Sequence, residues 1–162
     1  MMKKKGRLVR TGERPEPWQY SHPLNPQSEV HGQSLSADCG MERIGVHLLR
    51  IPPGKEAFIY HTHQSEEEFY FVVSGRGIAE VDGEEHEIGP GDFLGFGSPS
   101  VGHHLKNPFE NDLVYLVGGE RKPLEIAEFP HLGKHVIRIG GEAHVVDQRH
   151  LQPFWKAVKK ED

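Results

Sequence analysis

The chain has 162 residues, with 19 Lys and Arg against 24 Asp and Glu, for a formal net charge of -5. That length accommodates one domain with a substantial core, and 19 Gly with 12 Pro supply more turn formers than a helical bundle tolerates, so an all-β fold is expected. The acidic balance argues against nucleic-acid binding: a basic surface is found only in the first ten residues, MMKKKGRLVR, which read as a solvated tail. That start lacks the apolar core of a secretory signal, and no run approaches the roughly 20 apolar residues of a membrane span, so a cytoplasmic protein without membrane partners is expected. Cys39 is the sole cysteine, which excludes an intrachain disulfide and a thiolate metal cluster. Histidine is the unusual count, at 12, so any metal chemistry must use imidazole and carboxylate.

Residues 1–43 are rich in Pro, Ser, Gln and charge and read as an irregular N-terminal arm. From Ile44 onward, short β segments alternate with turn signals. RIGVHLLRI is a strand stopped by Pro52, Pro53 and Gly54; AFIYHTH alternates and leads into the acidic turn QSEEE; EFYFVVSG is the central strand. GIAEV and EEHEI form a hairpin across Asp82-Gly83, a pair suited to a type I′ turn. Pro90-Gly91-Asp92 turns into FLGF, GSPSVG is a loop, and HHLKN with DLVYLVGG reads as a second pair of strands broken at Asn107-Pro108. Six or more strands in about 75 residues describe a small barrel or jelly roll over residues 44–119. Residues 120–162 are read as an extension packing on the barrel or on a partner, with RKPLEIAEFPHLGK as connecting chain and HVIRI-GG-EAHVV as a hairpin.

The central strand has two apolar faces, one carrying Tyr70 and Val72 beside Glu68, the other Phe69, Phe71 and Val73. A barrel interior covers one of them. The other needs the chain's own arms or a second subunit, and a homodimer is expected on that basis.

In an extended segment, His61 and His63 point to the same face, with both rings within reach of one ion. If the next strand pairs back across QSEEE, Glu68 returns its carboxylate to the same place. In GHHLKN, a core-facing Leu105 puts His103 and Asn107 on the inner face, with His104 and Lys106 outside. Parity therefore favours His103 as the fourth donor. Three imidazoles and a carboxylate suit one divalent transition metal per chain (Zn, Mn, Fe, Ni or Co) and leave positions for water or substrate.

These residues resemble the first motif of the cupin superfamily, G-x5-H-x-H-x3,4-E-x6-G. Gly54, His61, His63, Glu68 and Gly75 stand in its places, with one residue more than the motif between Gly54 and His61. The second motif, G-x5-P-x-G-x2-H-x3-N, is met by His103 with Asn107, whereas counting from Pro99 lands on His104 as the alternative ligand. The resemblance implies a cupin-type double-stranded β-helix, that is, a jelly-roll barrel with N- and C-terminal extensions. It also resembles a bacterial subgroup of single-domain cupins, some described by similarity as sugar-phosphate isomerases.

The expected function is therefore that of a metal-binding cupin enzyme acting on a small polar or carbohydrate-like substrate, as an isomerase or epimerase of a sugar or sugar phosphate. The metal would chelate a hydroxyl and a carbonyl, with Tyr70 as a candidate proton carrier and Lys55 and Lys106 as the nearest cations for a phosphate. The alternatives are an Fe(II)-dependent dioxygenase using the same ligands and a cupin that binds a small ligand without turnover.

Overall fold

The computed structural model describes residues 6–13 and 17–158. The basic start thus lies partly outside the described residues.

Thirteen strands are described: β1 (Trp18–Tyr20), β2 (Val30–Ser34), β3 (Ile44–Ile51), β4 (Lys55–His63), β5 (Glu68–Ser74), β6 (Gly77–Val81), β7 (Glu84–Ile88), β8 (Phe93–Phe96), β9 (His103–Asn107), β10 (Leu113–Glu120), β11 (Leu124–Phe129), β12 (Lys134–Ile139) and β13 (Glu142–Asp147). They form two antiparallel sheets, ordered β1-β2-β3-β10-β5-β8 and β13-β12-β11-β4-β9-β6-β7. A single-turn helix, Phe154–Ala157, follows. From β3 onward the chain passes repeatedly from one sheet to the other, the path of a jelly roll. None of the described helices is long and apolar enough to cross a membrane.

This crossing corrects two expectations. The segments at β4 and β5 do not pair across QSEEE: β4 pairs with β9 and β11, and β5 with β10 and β8. Nor do HHLKN and DLVYLVGG pair with each other, since β9 joins β4 and β6 while β10 joins β3 and β5. The reason is burial. The inward apolar side chains of each strand need the opposite sheet as cover, and a turn that crosses between the sheets supplies it.

The core fills the space between the sheets. Val30, Leu49, Ile51, Val72, Ala79, Leu105, Leu113 and Tyr115 are at most 2% exposed. Each of its larger aliphatic side chains contributes on the order of 2 kcal/mol of hydrophobic stabilisation. The N-terminal arm holds more regular structure than its composition suggests. β2 pairs with β3, inserts Val30 into the core and carries β1 on its outer edge. Short polar strands of this kind show weak periodicity and are held by pairing to a preformed edge. On the C-terminal side, RKPLEIAEFPHLGK contains β11, which pairs with β4 and β12.

The hairpin of β6 and β7 turns at Asp82 and Gly83, with φ of 52° and 80°, the left-handed pair that a type I′ turn requires. Gly75 has φ +80°, and a Cβ there would lie 2.0 Å from the Asp112 carbonyl oxygen, so this motif position admits no side chain.

The outer face of β5 is left open. Phe71 is 38% exposed, Val73 46% and Phe93 of the adjoining β8 64%. The described strands of the arms do not cover it: β1 and β2 extend the far edge of the sheet beyond β3, and β11 to β13 belong to the other sheet. A cavity of about 390 Å³ opens at one end of this face, lined in part by Phe69, Phe93 and Gly118.

Candidate metal centre

β4 supplies His61 and His63, β9 supplies His103, and Glu68 comes from β5 in the opposite sheet. His61 pairs directly with His103 in the ladder. Between the pairs Ala57–Leu105 and His61–His103, three residues of β4 stand against His104 of β9, and Phe58 takes φ +51°. This irregularity absorbs the extra residue between Gly54 and His61, because Lys55, Glu56 and Ala57 hold regular register with Asn107, Lys106 and Leu105.

His61 Nδ1 donates to the Ile59 carbonyl at 2.7 Å, and His103 Nδ1 donates to the Val101 carbonyl at 2.9 Å. A carbonyl only accepts, so each ring carries a proton on Nδ1 and turns Nε2, the atom left with a lone pair in a neutral ring, toward the centre. His63 turns Nδ1 toward Glu125 Oε1, 3.3 Å away. The Nε2 atoms of His61 and His63 stand 3.1 Å apart, and His103 Nε2 stands 3.1 Å from Glu68 Oε2. His63 and His61 reach that same oxygen at 3.7 and 3.9 Å. All four donor atoms lie within 4.8 Å of one another. Imidazole lone pairs and a carboxylate oxygen aimed at one another repel unless a cation or a proton stands among them. The donor set thus fits a divalent first-row ion, held by three nitrogens and one oxygen.

The electrostatics agree. Burial, with the charge of His103 as a further cause, pulls His61 down to about 3, so this ring is neutral at physiological pH. Burial opposes the ionisation of Glu68, but its bonds to His103 and His63 and the nearby imidazole charges outweigh it and hold the carboxyl well below its usual range. Burial also works against protonation of His63, yet the carboxylates of Glu68, Glu125 and Glu66 outweigh it and raise this ring. In the metal-free chain a proton on His63 relieves the crowding of lone pairs. Tyr70 donates its hydroxyl to Glu68 Oε2 at 2.8 Å, and burial together with the Glu68 charge holds the phenol protonated far above neutral pH. Phe96 stacks on His103 with ring centroids 3.8 Å apart, walling one side of the site with hydrocarbon.

The two histidines of GHHLKN part company here. Both rings are buried, but on opposite faces of β9: His103 is on the inner face, while His104 turns the other way, with Nε2 3.7 Å from Glu56 Oε2. Asn107 serves the fold: its amide donates to the carbonyls of Ile51 and Asn111, and its Oδ1 accepts from the Phe109 amide, closing the turn that follows β9. The loop GSPSVG is tied to His63 at both ends of one peptide pair, the His63 amide donating to Ser100 Oγ and the Ser100 amide to the His63 carbonyl, each at 2.8 Å. Lys55 and Lys106 do not approach the centre. Lys55 pairs with Glu29, and Lys106 with Glu80 and Glu85.

A second cluster, absent from the sequence reading, adjoins the first: His63, Glu66 and Glu125. Arg138 of β12 bonds Glu66, and Lys122 bonds the Ser65 carbonyl. The signal was present in LEIAEF, where the two-residue period places Glu125 in phase with the buried Phe129. It was missed because a strand with two glutamates reads as connecting chain.

A profile of the cupin domain family matches residues 47–119. The fold is similar to that of a candidate sugar phosphate isomerase from Acidithiobacillus ferrooxidans, at 34% identity and a TM-score of 0.86, covering 91% of this chain and 96% of that one. The chain belongs to the cupin superfamily. A sugar phosphate isomerase of the same superfamily from Silicibacter pomeroyi shares the fold at 24% identity and a TM-score of 0.81, covering 89% of this chain and 94% of that one. Among curated proteins, the oxalate-binding protein of Thermotoga maritima is 29% identical over 68 residues, which is 42% of this chain and 54% of that protein. The chain spans about half the length of the curated relatives it matches.

Proposed function

We propose that this chain is a metal-dependent cupin enzyme acting on a small polar, carbohydrate-like substrate, as an isomerase or epimerase of the sugar or sugar-phosphate type. The observation that carries the reading is the convergence of His61, His63 and His103 Nε2 with Glu68 Oε2, two of the rings locked through Nδ1 onto backbone carbonyls. A divalent ion there would supply Lewis acidity toward a hydroxyl and carbonyl pair of the substrate. The protein supplies the rest. His61, His63, His103 and Glu68 would hold the ion, Phe96 excludes water from the His103 side, and Tyr70 donates to Glu68 and so fixes its orientation. The names of the two isomerase relatives support the reaction class.

The engagement of Lys55 and Lys106 with carboxylates favours an unphosphorylated substrate, and it also favours a second reading, binding of a small oxygen-chelating ligand without turnover. The name of the Thermotoga maritima relative points the same way. An Fe(II)-dependent dioxygenase would use the same ligands. We assign a cytoplasmic, homodimeric protein, the dimer formed through the open face of Phe71, Val73 and Phe93.

Elemental analysis of the chain, purified without a histidine tag or added metal, tests the centre. About one Zn, Mn, Fe, Ni or Co per chain, absent from Glu68→Ala, is expected. Oxygen uptake and aldose–ketose interconversion by that metal form then separate the reactions. No metal after reconstitution would overturn the reading.

A further inference from the structure

We propose that Glu125, carried by the C-terminal extension, is a positioning residue of the metal centre: it sets the tautomer and ring direction of His63 so that Nε2 faces the other donors. The inference rests on the metal-centre reading and adds to it a residue outside the segment 47–119 that the family profile matches.

The placement follows from register. β11 pairs with β4 through Ala127 opposite His63 and Glu128 opposite Thr62, and the Gln64 amide donates to the Ile126 carbonyl at 3.0 Å. Glu125 is two residues from Ala127, so it lies diagonal to His63 on the same face of the sheet. Its side chain is 3% exposed. The amides of Gln64, Ser65 and Glu66 donate to it at 3.0, 3.1 and 3.1 Å, and the Ser65 hydroxyl makes a fourth bond. All four donors belong to the turn that directly follows His63. The carboxylate is therefore fixed on the backbone that carries the ligand, and beyond Ser65 it faces His63, whose buried Nδ1, without a hydrogen-bond partner of its own, stands 3.3 Å away. A carboxylate facing one ring nitrogen holds the proton there, fixes the ring and makes the other nitrogen a better ligand.

A rival reading makes His63, Glu66 and Glu125 a second cation site. The cations already present argue against it: the Arg138 guanidinium bonds Glu66, and the Lys122 ammonium bonds the Ser65 carbonyl and stands 2.9 Å from Glu120. The Lys122 amide also donates to Glu66 at 2.5 Å. The cluster is a filled network that braces Glu125 and the turn.

The test compares the parent, Glu125→Gln and Glu128→Gln in two measurements. The control residue lies on the same strand, accepts from the Gln64 amide group and stands 3.5 Å from His135 Nε2. Ring ¹⁵N spectra of the metal-free chain, taken where His63 is neutral, report its tautomer, and chelator competition reports the affinity for Co(II) alone. Expected are an Nδ1–H tautomer in the parent and in Glu128→Gln, a shifted tautomer in Glu125→Gln, and Co(II) binding weakened about 10- to 100-fold in Glu125→Gln only. Should Glu125→Gln not fold, Glu125→Asp, which withdraws the charge from His63 by one methylene, carries the same expectation. A lower melting temperature with tautomer and affinity unchanged would overturn the proposal and leave Glu125 as a clamp on the turn. A parent that binds no Co(II) would overturn the metal reading instead, and the tautomer comparison would still decide the role of Glu125.

Discussion

Tyr70 and Glu68 lie on one face of one strand, and the Tyr70 hydroxyl donates to Glu68 Oε2 at 2.8 Å, the oxygen that also faces His103. The phenol is buried, so its hydrogen bond cannot be exchanged for one to water. Tyr70→Phe is expected to cost about 1 kcal/mol of stability while leaving about one metal per chain. Denaturant melts and metal analysis check this, and loss of the metal would show that the phenol is part of what holds it.

His63→Ala removes one nitrogen donor without touching the core between the sheets. The variant is expected to fold with an unchanged circular dichroism spectrum and to lose stoichiometric metal. Full occupancy would remove His63 from the ligand set.

The metal-free chain should be most stable near pH 6.5. His61 is pulled down from 6.5 to about 3, so as pH falls through that window the unfolded chain gains a proton that the folded chain refuses, and stability drops. Glu68, depressed from 4.5, adds to the acid loss. His63 works in the opposite sense. Its raised folded value makes its contribution complete below 6.5 and lost as pH rises through that value. Melting temperature against pH measures both limbs, and His63→Asn should remove the alkaline decline alone. Metal uptake runs the other way, strengthening with pH until His63 has lost its proton.

Replacing Phe71 and Phe93 with Glu on the open face is expected to convert the proposed homodimer to a monomer that still binds metal, because both side chains lie on the exposed face of the sheet. Sedimentation velocity decides. A monomeric parent would show that a second copy does not cover this face.

Gly75→Ala should destabilise the fold by about 3 kcal/mol, since both the positive φ and the 2.0 Å approach to the Asp112 carbonyl exclude a Cβ. Chemical denaturation gives the number, and a change below about 0.5 kcal/mol would contradict the tight approach.

Much of this was legible in the text of the chain. The strands from β3 to β10 alternate clearly and are punctuated by Pro and Gly, and the parity of HHLKN separated His103 from His104 because Leu105 is an unambiguous core residue. Which strands pair was not legible. Alternation tells a strand which side chains go inward but not which neighbour it has, and β4 and β5 look like a hairpin until the second sheet is known. β1, β2 and β11 were hidden for a different reason: they are short or charged and owe their conformation to an existing edge. Glu125 was hidden with β11, and with it the orientation of His63.

The four donor atoms come from both sheets, three imidazoles from one and the Glu68 carboxylate from the other. An ion held there would act as a bolt across the mouth of the barrel, and Glu68 would be the one side of the joint supplied by β5. Opening the sheets at that end would then require breaking a single oxygen contact, while the three nitrogens stayed together on their own sheet. Filling the centre should therefore slow amide exchange in β5 and its neighbours β8 and β10 more than in β4 and β9, so that an affinity set by four side chains is felt mechanically by the half of the molecule that contributes only one.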